Sequence, residues 1–115
     1  GTATKEQRLV WDQVHEGQQT ALAAARISAA AGSVDDAVRR LYESFGYGPG
    51  YKLPGLSHRT GHGIGLDGHE PVNLVHGEMT KLGHSVVLLI DFEFSRIIAN
   101  SGCQLLPSGW QRIRI

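Results

Sequence analysis

The pattern of apolar and polar residues divides the chain into two helices followed by strands. Apolar residues recur every three or four positions from residue 5 to about residue 26, which predicts a long amphipathic helix. Thr4 and Gln7 form a capping-box signature at its start. A second helix is predicted from a cap at Ser33 to a stop at Gly46. Its apolar stripe consists of Val34, Ala37, Val38, Leu41, Tyr42 and Phe45.

The second half of the chain changes to loop and strand. Residues 46–55 contain too many glycines and prolines for either periodicity and are predicted to be loop. We expect a short extended segment over 56–62 and strands over 85–94 and 109–115, which are rich in β-branched and aromatic residues. Helices followed by strands, without alternation, predict an α+β fold with an antiparallel sheet.

Length and composition set broad limits on function. A chain of 115 residues is expected to form one domain. Eleven basic residues balance eleven acidic ones, so nucleic acid and anionic membranes are not expected as partners. Cys103 is the single cysteine, the longest apolar run (86–90) is short, and residues 1–8 carry no secretory signature. These features favour a cytoplasmic location.

The segment HRTGHGIGLDGHEP, residues 58–71, contains three histidines, an aspartate and a glutamate within fourteen positions. In an extended segment His58 and His62 point to the same face, and His69 lies beyond a turn that can fold it back toward them. Imidazole is the commonest metal ligand and the usual proton carrier near neutral pH. The segment therefore predicts metal binding or acid–base chemistry, with a simple hydrogen-bonded turn as the alternative.

Two better-known motifs do not account for this segment. Gly63, Gly65 and Gly68 spell G-x-G-x-x-G, but no apolar strand precedes them and Pro71 follows closely, unlike a dinucleotide site. The HE pair at 69 and 70 is not part of an HExxH metalloprotease motif, because residue 73 is asparagine.

The same segment resembles the signature of Xaa-Pro dipeptidases and related creatinase and methionine aminopeptidase metallopeptidases, which share the pita-bread fold. Residues 1–26 are similar to the family's long helix after its metal-binding hairpin, and residues 33–48 to its next helix. The resemblance implies a partial pita-bread fold, with two N-terminal helices on a curved antiparallel sheet. It also implies that residues 1–115 are a single, truncated C-terminal part of the catalytic domain.

The resemblance implies a reaction and roles for the histidines. The family hydrolyses the peptide bond after an N-terminal residue, commonly before proline, with a water held between two divalent cations such as manganese, cobalt or zinc. Its ligands are two aspartates, one histidine and two glutamates. His62 matches the metal histidine, whereas His58 and His69 resemble the histidines that bind substrate and stabilise the tetrahedral intermediate. Thr60 and Asp67 are candidate partners that would orient the His62 ring.

The aspartate ligands of the family have no match here. By the resemblance, both would precede Gly1, which is not an initiator methionine, so we expect a processed chain or a piece of a longer one. Asp12, Asp35 and Asp36 lie on the predicted helices, and we interpret them as a solvated face and a cap.

The glutamate ligands are matched only in part. Asp91 lies about where the resemblance places the first glutamate, and Glu93 would share its strand face. An ordinary carboxylate at a strand end is the alternative for either residue. Arg114 matches an arginine that precedes the second glutamate, and we expect it to bind substrate. At most two of five ligands are thus matched, so the chain alone is expected to bind one ion weakly and to be inactive.

Three functions remain open at this stage. The first is a part of a metallopeptidase that acts on Xaa-Pro dipeptides or short peptides. The second is a non-catalytic pita-bread binding module. The third is a small zinc protein using His58, His62 and His69, which predicts tight stoichiometric zinc binding. An uncovered helix face and sheet edge would also favour association with a second copy or with the missing half.

Overall fold

The computed structural model describes residues 1–84 and 86–90, together with the backbone of 111–114. Two helices are followed by four strands, which confirms the predicted α+β class with an antiparallel sheet. The elements are α1 (Lys5–Ala24), α2 (Ala31–Ser44), β1 (Gly61–Gly63), β2 (Glu70–Leu74), β3 (Val87–Ile90) and β4 (Gln111–Arg114). In the described part of the chain, neither helix is long and apolar enough to cross a membrane.

Helix α1 begins where the sequence predicted it. The side chain of Thr4 accepts a hydrogen bond from the backbone N–H of Gln7, and the Gln7 side chain accepts one from the backbone N–H of Thr4. This reciprocal pair satisfies two N–H groups that have no partner within the helix. The helix ends at Ala24, two residues before the predicted end.

Helix α2 begins earlier than predicted, so the proposed cap at Ser33 is wrong. The N-cap is Ala30, and the hydroxyl of Ser33 donates to the Ala30 carbonyl from within the first turn. The N–H groups of Ala31 and Gly32 donate instead to the carbonyls of Thr80 and Glu78, at 2.9 and 2.8 Å. A distant segment of backbone therefore satisfies the start of this helix, which a local motif cannot predict.

The sheet has the strand order β2-β1-β3-β4, with every neighbouring pair antiparallel. Strand β2 was not predicted, because Pro71 interrupts its pattern. Proline cannot donate to a sheet ladder, and it is tolerated here because β2 lies at the edge of the described sheet. The predicted strands over 85–94 and 109–115 correspond to β3 and β4, and residues 91–94 lie outside the described residues.

The core forms where helix α2 packs on the sheet and on α1. Tyr42 of α2 lies directly against Gly17 of α1, where a Cβ atom would overlap the tyrosine ring. Burial raises the pKa of Tyr42. The other fully buried apolar side chains of the core include Val34, Val38, Leu56, Leu74, Leu82, Leu88 and Ile90.

Asp35 lies in this core and not on a solvated face, which corrects the sequence interpretation. Its side chain is completely buried and forms an ion pair with Arg39, one helical turn later. Its carboxylate also accepts three further hydrogen bonds, from the backbone N–H and the hydroxyl of Thr60 and from the backbone N–H of His76. Burial of this carboxylate is tolerated because both oxygens are hydrogen-bonded.

Candidate functional site

The hairpin of β1 and β2 brings His62 and His69 together. His62 lies in β1, which is bordered by β2 and β3, and His69 immediately precedes β2. The centroids of the two imidazole rings are 4.5 Å apart, with their planes tilted by 32°. His62 is buried and His69 is exposed. The pair therefore has one ring in the protein interior and one at the surface.

A carboxylate stabilises the turn that joins the two histidines. The Oε1 atom of Glu70 accepts a hydrogen bond from the backbone N–H of Asp67 at 2.9 Å. The Glu70 carboxylate also lies against Gly65, in the space that a Cβ atom at that position would occupy. The turn thus reverses the chain direction and brings His69 next to His62.

The hydrogen bonds of His62 determine its tautomer. Nδ1 lies 2.8 Å from the carbonyl oxygen of Gly63. A carbonyl only accepts, so Nδ1 must carry the proton and donate it. In the neutral ring Nε2 then keeps its lone pair. This Nε2 atom is buried and has no hydrogen-bond partner within the described residues.

The partners expected for His62 are not the ones observed. The hydroxyl of Thr60 donates to Asp35 at 2.7 Å, and Asp67 contributes its backbone N–H to the Glu70 contact. The carbonyl of Gly63, next in the chain, takes the orienting role instead. A backbone partner of this kind leaves no signal in the sequence.

His58 lies before β1 and is half-buried. Its Nδ1 atom is 2.6 Å from the carbonyl oxygen of Arg59, and its own carbonyl accepts from Arg39 at 2.8 Å. The rings of His62 and His69 are in contact with each other. A shared pocket for His58 and His62 stays a prediction.

The structure describes little or nothing of the three remaining candidates, Asp91, Glu93 and Arg114. Asp91 and Glu93 are outside the described residues. Arg114 pairs through its backbone with Val87 of β3, and its side chain is outside the description. Within residues 1–84 and 86–90, no group of three or more potential ligands is arranged to hold a metal ion.

A divalent metal nevertheless fits the chemistry of His62. An unpartnered polar atom in the interior carries a free-energy cost, and a native protein usually satisfies it. Metal-binding histidines commonly hold one ring nitrogen with a carbonyl and present the other to the ion. His62 has this arrangement, with Gly63 as the carbonyl partner and Nε2 as the available nitrogen.

Comparison with known proteins gives consistent matches. The model for Metallopeptidase family M24 matches residues 1–115. The Xaa-Pro dipeptidase of Pyrococcus furiosus is 30% identical over 91 residues, which are 79% of this chain and 25% of the relative. The Xaa-Pro dipeptidase of Lactobacillus helveticus is 35% identical over 91 residues, again 79% of this chain, and 23% of the relative. The chain thus spans about a quarter of the length of these relatives.

Solved structures show the same relationship. The prolidase from Pyrococcus furiosus superposes with a TM-score of 0.69 at 30% identity, covering 78% of this chain and 25% of that protein. An X-Pro aminopeptidase from Thermotoga maritima gives a TM-score of 0.68 at 29% identity, covering 78% and 24%. The fold of this chain is therefore the corresponding part of the prolidase pita-bread fold.

Proposed function

The chain belongs to metallopeptidase family M24, and from this premise we propose that it supplies the histidine part of a metal centre that hydrolyses Xaa-Pro dipeptides. One observation carries the proposal: among the described residues nothing bonds to the buried Nε2 atom of His62, which holds a lone pair because Nδ1 donates to Gly63. The names of the Xaa-Pro dipeptidases that this chain resembles support the choice of substrate.

Each matched residue has a distinct role in the proposed reaction. His62 would hold a divalent ion through Nε2, and a metal in such a site supplies a water that is nucleophilic at neutral pH. His69 is exposed beside it, and its ring would donate a hydrogen bond to the oxyanion that forms from the substrate carbonyl. His58 and Arg114 would bind and orient the peptide.

The metal site needs more ligands than the described residues provide. Asp91 or Glu93 is proposed to contribute one carboxylate, with manganese, cobalt or zinc as the ion. A two-ion site would need further carboxylates from residues outside this chain. For this reason we expect the 115-residue chain alone to bind at most one ion weakly and to hydrolyse no Xaa-Pro dipeptide.

A chimeric enzyme tests this function directly. The matched residues of this chain would replace the corresponding quarter of the Pyrococcus furiosus Xaa-Pro dipeptidase, whose remainder would supply the missing groups. We expect the chimera to hydrolyse an Xaa-Pro dipeptide, and the His62→Ala chimera to lose both activity and one bound metal ion. Metal content is measured on the purified protein, independently of turnover.

The matched control is His76→Ala in the same chimera. His76 is an exposed histidine whose ring pairs with Asp36 of α2. Its substitution is expected to leave hydrolysis and metal content unchanged. A folded chimera whose metal content and activity are the same with and without His62 would reject the proposed role.

The two alternative functions predict different measurements. A small zinc protein would bind one zinc ion tightly through His58, His62 and His69, in the isolated chain. A non-catalytic module would give a folded chimera with neither activity nor a metal requirement. Association of the chain with a second copy stays a prediction, and a single monomeric species in concentrated solution by sedimentation would contradict it.

A further inference from the structure

A buried arginine holds the segment that leads into β1. Arg39 uses all five of its N–H donors: Nε and one Nη2 hydrogen bond reach the two oxygens of Asp35, at 2.6 and 3.2 Å. The other three bonds reach the carbonyls of Gly50, Leu56 and His58, each at 2.8 Å. The guanidinium therefore fixes the backbone at three points before the strand that carries His62.

The Asp35 carboxylate holds the backbone next to both strands of the β1–β2 hairpin. Oδ1 of Asp35 accepts from the backbone N–H and the hydroxyl of Thr60, at 3.1 and 2.7 Å, immediately before β1. Oδ2 accepts from the backbone N–H of His76 at 3.0 Å, two residues after β2 ends. One buried side chain on α2 thus holds the open end of the hairpin whose other end carries His69.

The contacts of the buried Asp35–Arg39 ion pair indicate a role beyond stabilising the fold. Buried ion pairs often contribute little net stability, and apolar residues of similar volume frequently replace them without loss. Apolar residues would not, however, bond to three carbonyls and to two backbone N–H groups, one just before β1 and one just after β2. Tyr51 covers the guanidinium, with its ring centroid 3.7 Å from the Arg39 Cζ atom, and limits its contact with water.

We propose that Asp35 and Arg39 are positioning residues that set the geometry of His62 and His69 by anchoring the β1–β2 hairpin. His62 lies two residues beyond Thr60, so a shift of that anchor moves the ring and its bond to Gly63. The role of the histidines in metal binding rests on the proposed function. The anchoring of the pair can be measured without metal.

The test separates position from stability with a double replacement. In Asp35→Leu with Arg39→Met, the buried charges are removed together, so folding is expected to be retained while the five backbone contacts are lost. Nitrogen NMR of the metal-free chain, at a pH where imidazole is neutral, reports the tautomer of His62. We expect the single Nδ1–H tautomer in the parent chain and a mixture of tautomers in the variant.

Zinc binding by the 115-residue chain is the second measurement. Loss of a residue that supports a metal ligand typically weakens binding by ~10- to 100-fold, and we expect a weakening of that order for the double variant. The matched control is Asp36→Leu with Arg40→Met, the same substitutions one residue further along α2. Arg40 is exposed, and this control is expected to keep both the tautomer and the zinc affinity.

The outcomes distinguish this proposal from the proposed function. A folded double variant with the parent tautomer, the same contact between the His62 and His69 rings, and unchanged zinc affinity would overturn the positioning role. The proposed function is tested separately, by the activity and metal content of the chimera. If the parent chain binds no zinc, the tautomer and the ring contact still decide the positioning role.

A milder variant keeps the test usable if the double variant does not fold. Thr60→Val removes only the hydroxyl bond to Asp35 and keeps the backbone bond. We expect a smaller change in the His62 tautomer in the same direction. Arg39→Lys keeps the charge but loses the planar fork, and it should likewise disturb His62. An unchanged tautomer in both folded variants would overturn the proposal.

Discussion

The imidazole rings of His62 and His69 lie 4.5 Å apart between centroids, although six residues separate them in the chain. The tight turn capped by Glu70 produces this contact. The consequence is a buried nitrogen on His62 next to the exposed ring of His69. Both the metal role and the oxyanion role proposed for the pair depend on this arrangement.

Replacing His62 should remove metal binding from the chain. A ligand that binds only the folded state raises the unfolding temperature, so zinc is expected to stabilise the parent chain. In His62→Gln this zinc-induced increase should disappear, because the free Nε2 lone pair is lost. Thermal unfolding with and without zinc measures the effect.

The control for this prediction is His84→Gln, which changes an exposed histidine. It should keep the full zinc-induced increase in unfolding temperature. If both variants lose the zinc-induced increase equally, zinc binds to histidines in general and His62 is not a specific ligand.

Gly61 is expected to be essential for the packing of β1. A Cβ atom at this position would overlap the Leu89 carbonyl and press on Ile90 and Leu74. Overpacking of this kind costs about 1–3 kcal/mol, so Gly61→Ala should lower the free energy of unfolding by that amount. Chemical denaturation provides the measurement.

Gly68→Ala serves as the matched control in the neighbouring turn. In the part of the chain that the structure describes, a Cβ atom at residue 68 has nothing within 4 Å. Its effect on the free energy of unfolding is expected to stay within about 0.5 kcal/mol. An equal loss at both glycines would contradict the steric explanation.

The sequence predicted those parts of the fold that depend on local interactions. Helix α1 has a complete capping box in its own sequence, and the structure confirms its start. Helix α2 begins at Ala31 because carbonyls almost fifty residues away accept from its first N–H groups. Strand β2 was missed for a similar reason, since its position at the edge of the described sheet makes Pro71 acceptable.

The sequence predicted the histidines of the candidate site but not the buried Asp35 that supports them. The spacing of the histidines suggested a cluster, and the structure brings His62 and His69 together. The burial of Asp35 could not be predicted, because an acid and an arginine four residues apart also occur on exposed helix faces. The difference is made by Thr60 and His76, which are distant in sequence and reach the carboxylate only in the fold.

Removing the cap of α1 should have a moderate effect on stability. Thr4→Ala removes the side-chain bond to the Gln7 N–H, and the loss of such a cap typically costs about 1 kcal/mol. Urea denaturation should show this decrease in the free energy of unfolding. Thr2→Ala, an exposed threonine before the helix, is the control and should change it little. Equal effects of the two substitutions would reject the capping explanation.

Stability should fall at high pH because of Tyr42. Burial, followed by the charge of Tyr47, raises the pKa of Tyr42 in the folded chain above its usual value of 10.0. Above pH 10 the unfolded chain therefore loses this proton first and binds fewer protons than the folded chain. The free energy of unfolding then decreases with rising pH, by at most about 1.4 kcal/mol per pH unit for one group.

The Tyr42→Phe variant isolates this contribution. It should show a shallower decrease of the free energy of unfolding above pH 10, measured by denaturation at several pH values. Some decrease should persist, because burial also raises the pKa of Tyr47. Tyr51→Phe, which removes the hydroxyl of an exposed tyrosine, is the control and should retain the slope of the parent chain. If Tyr42→Phe keeps that slope as well, burial of Tyr42 does not govern the alkaline loss of stability.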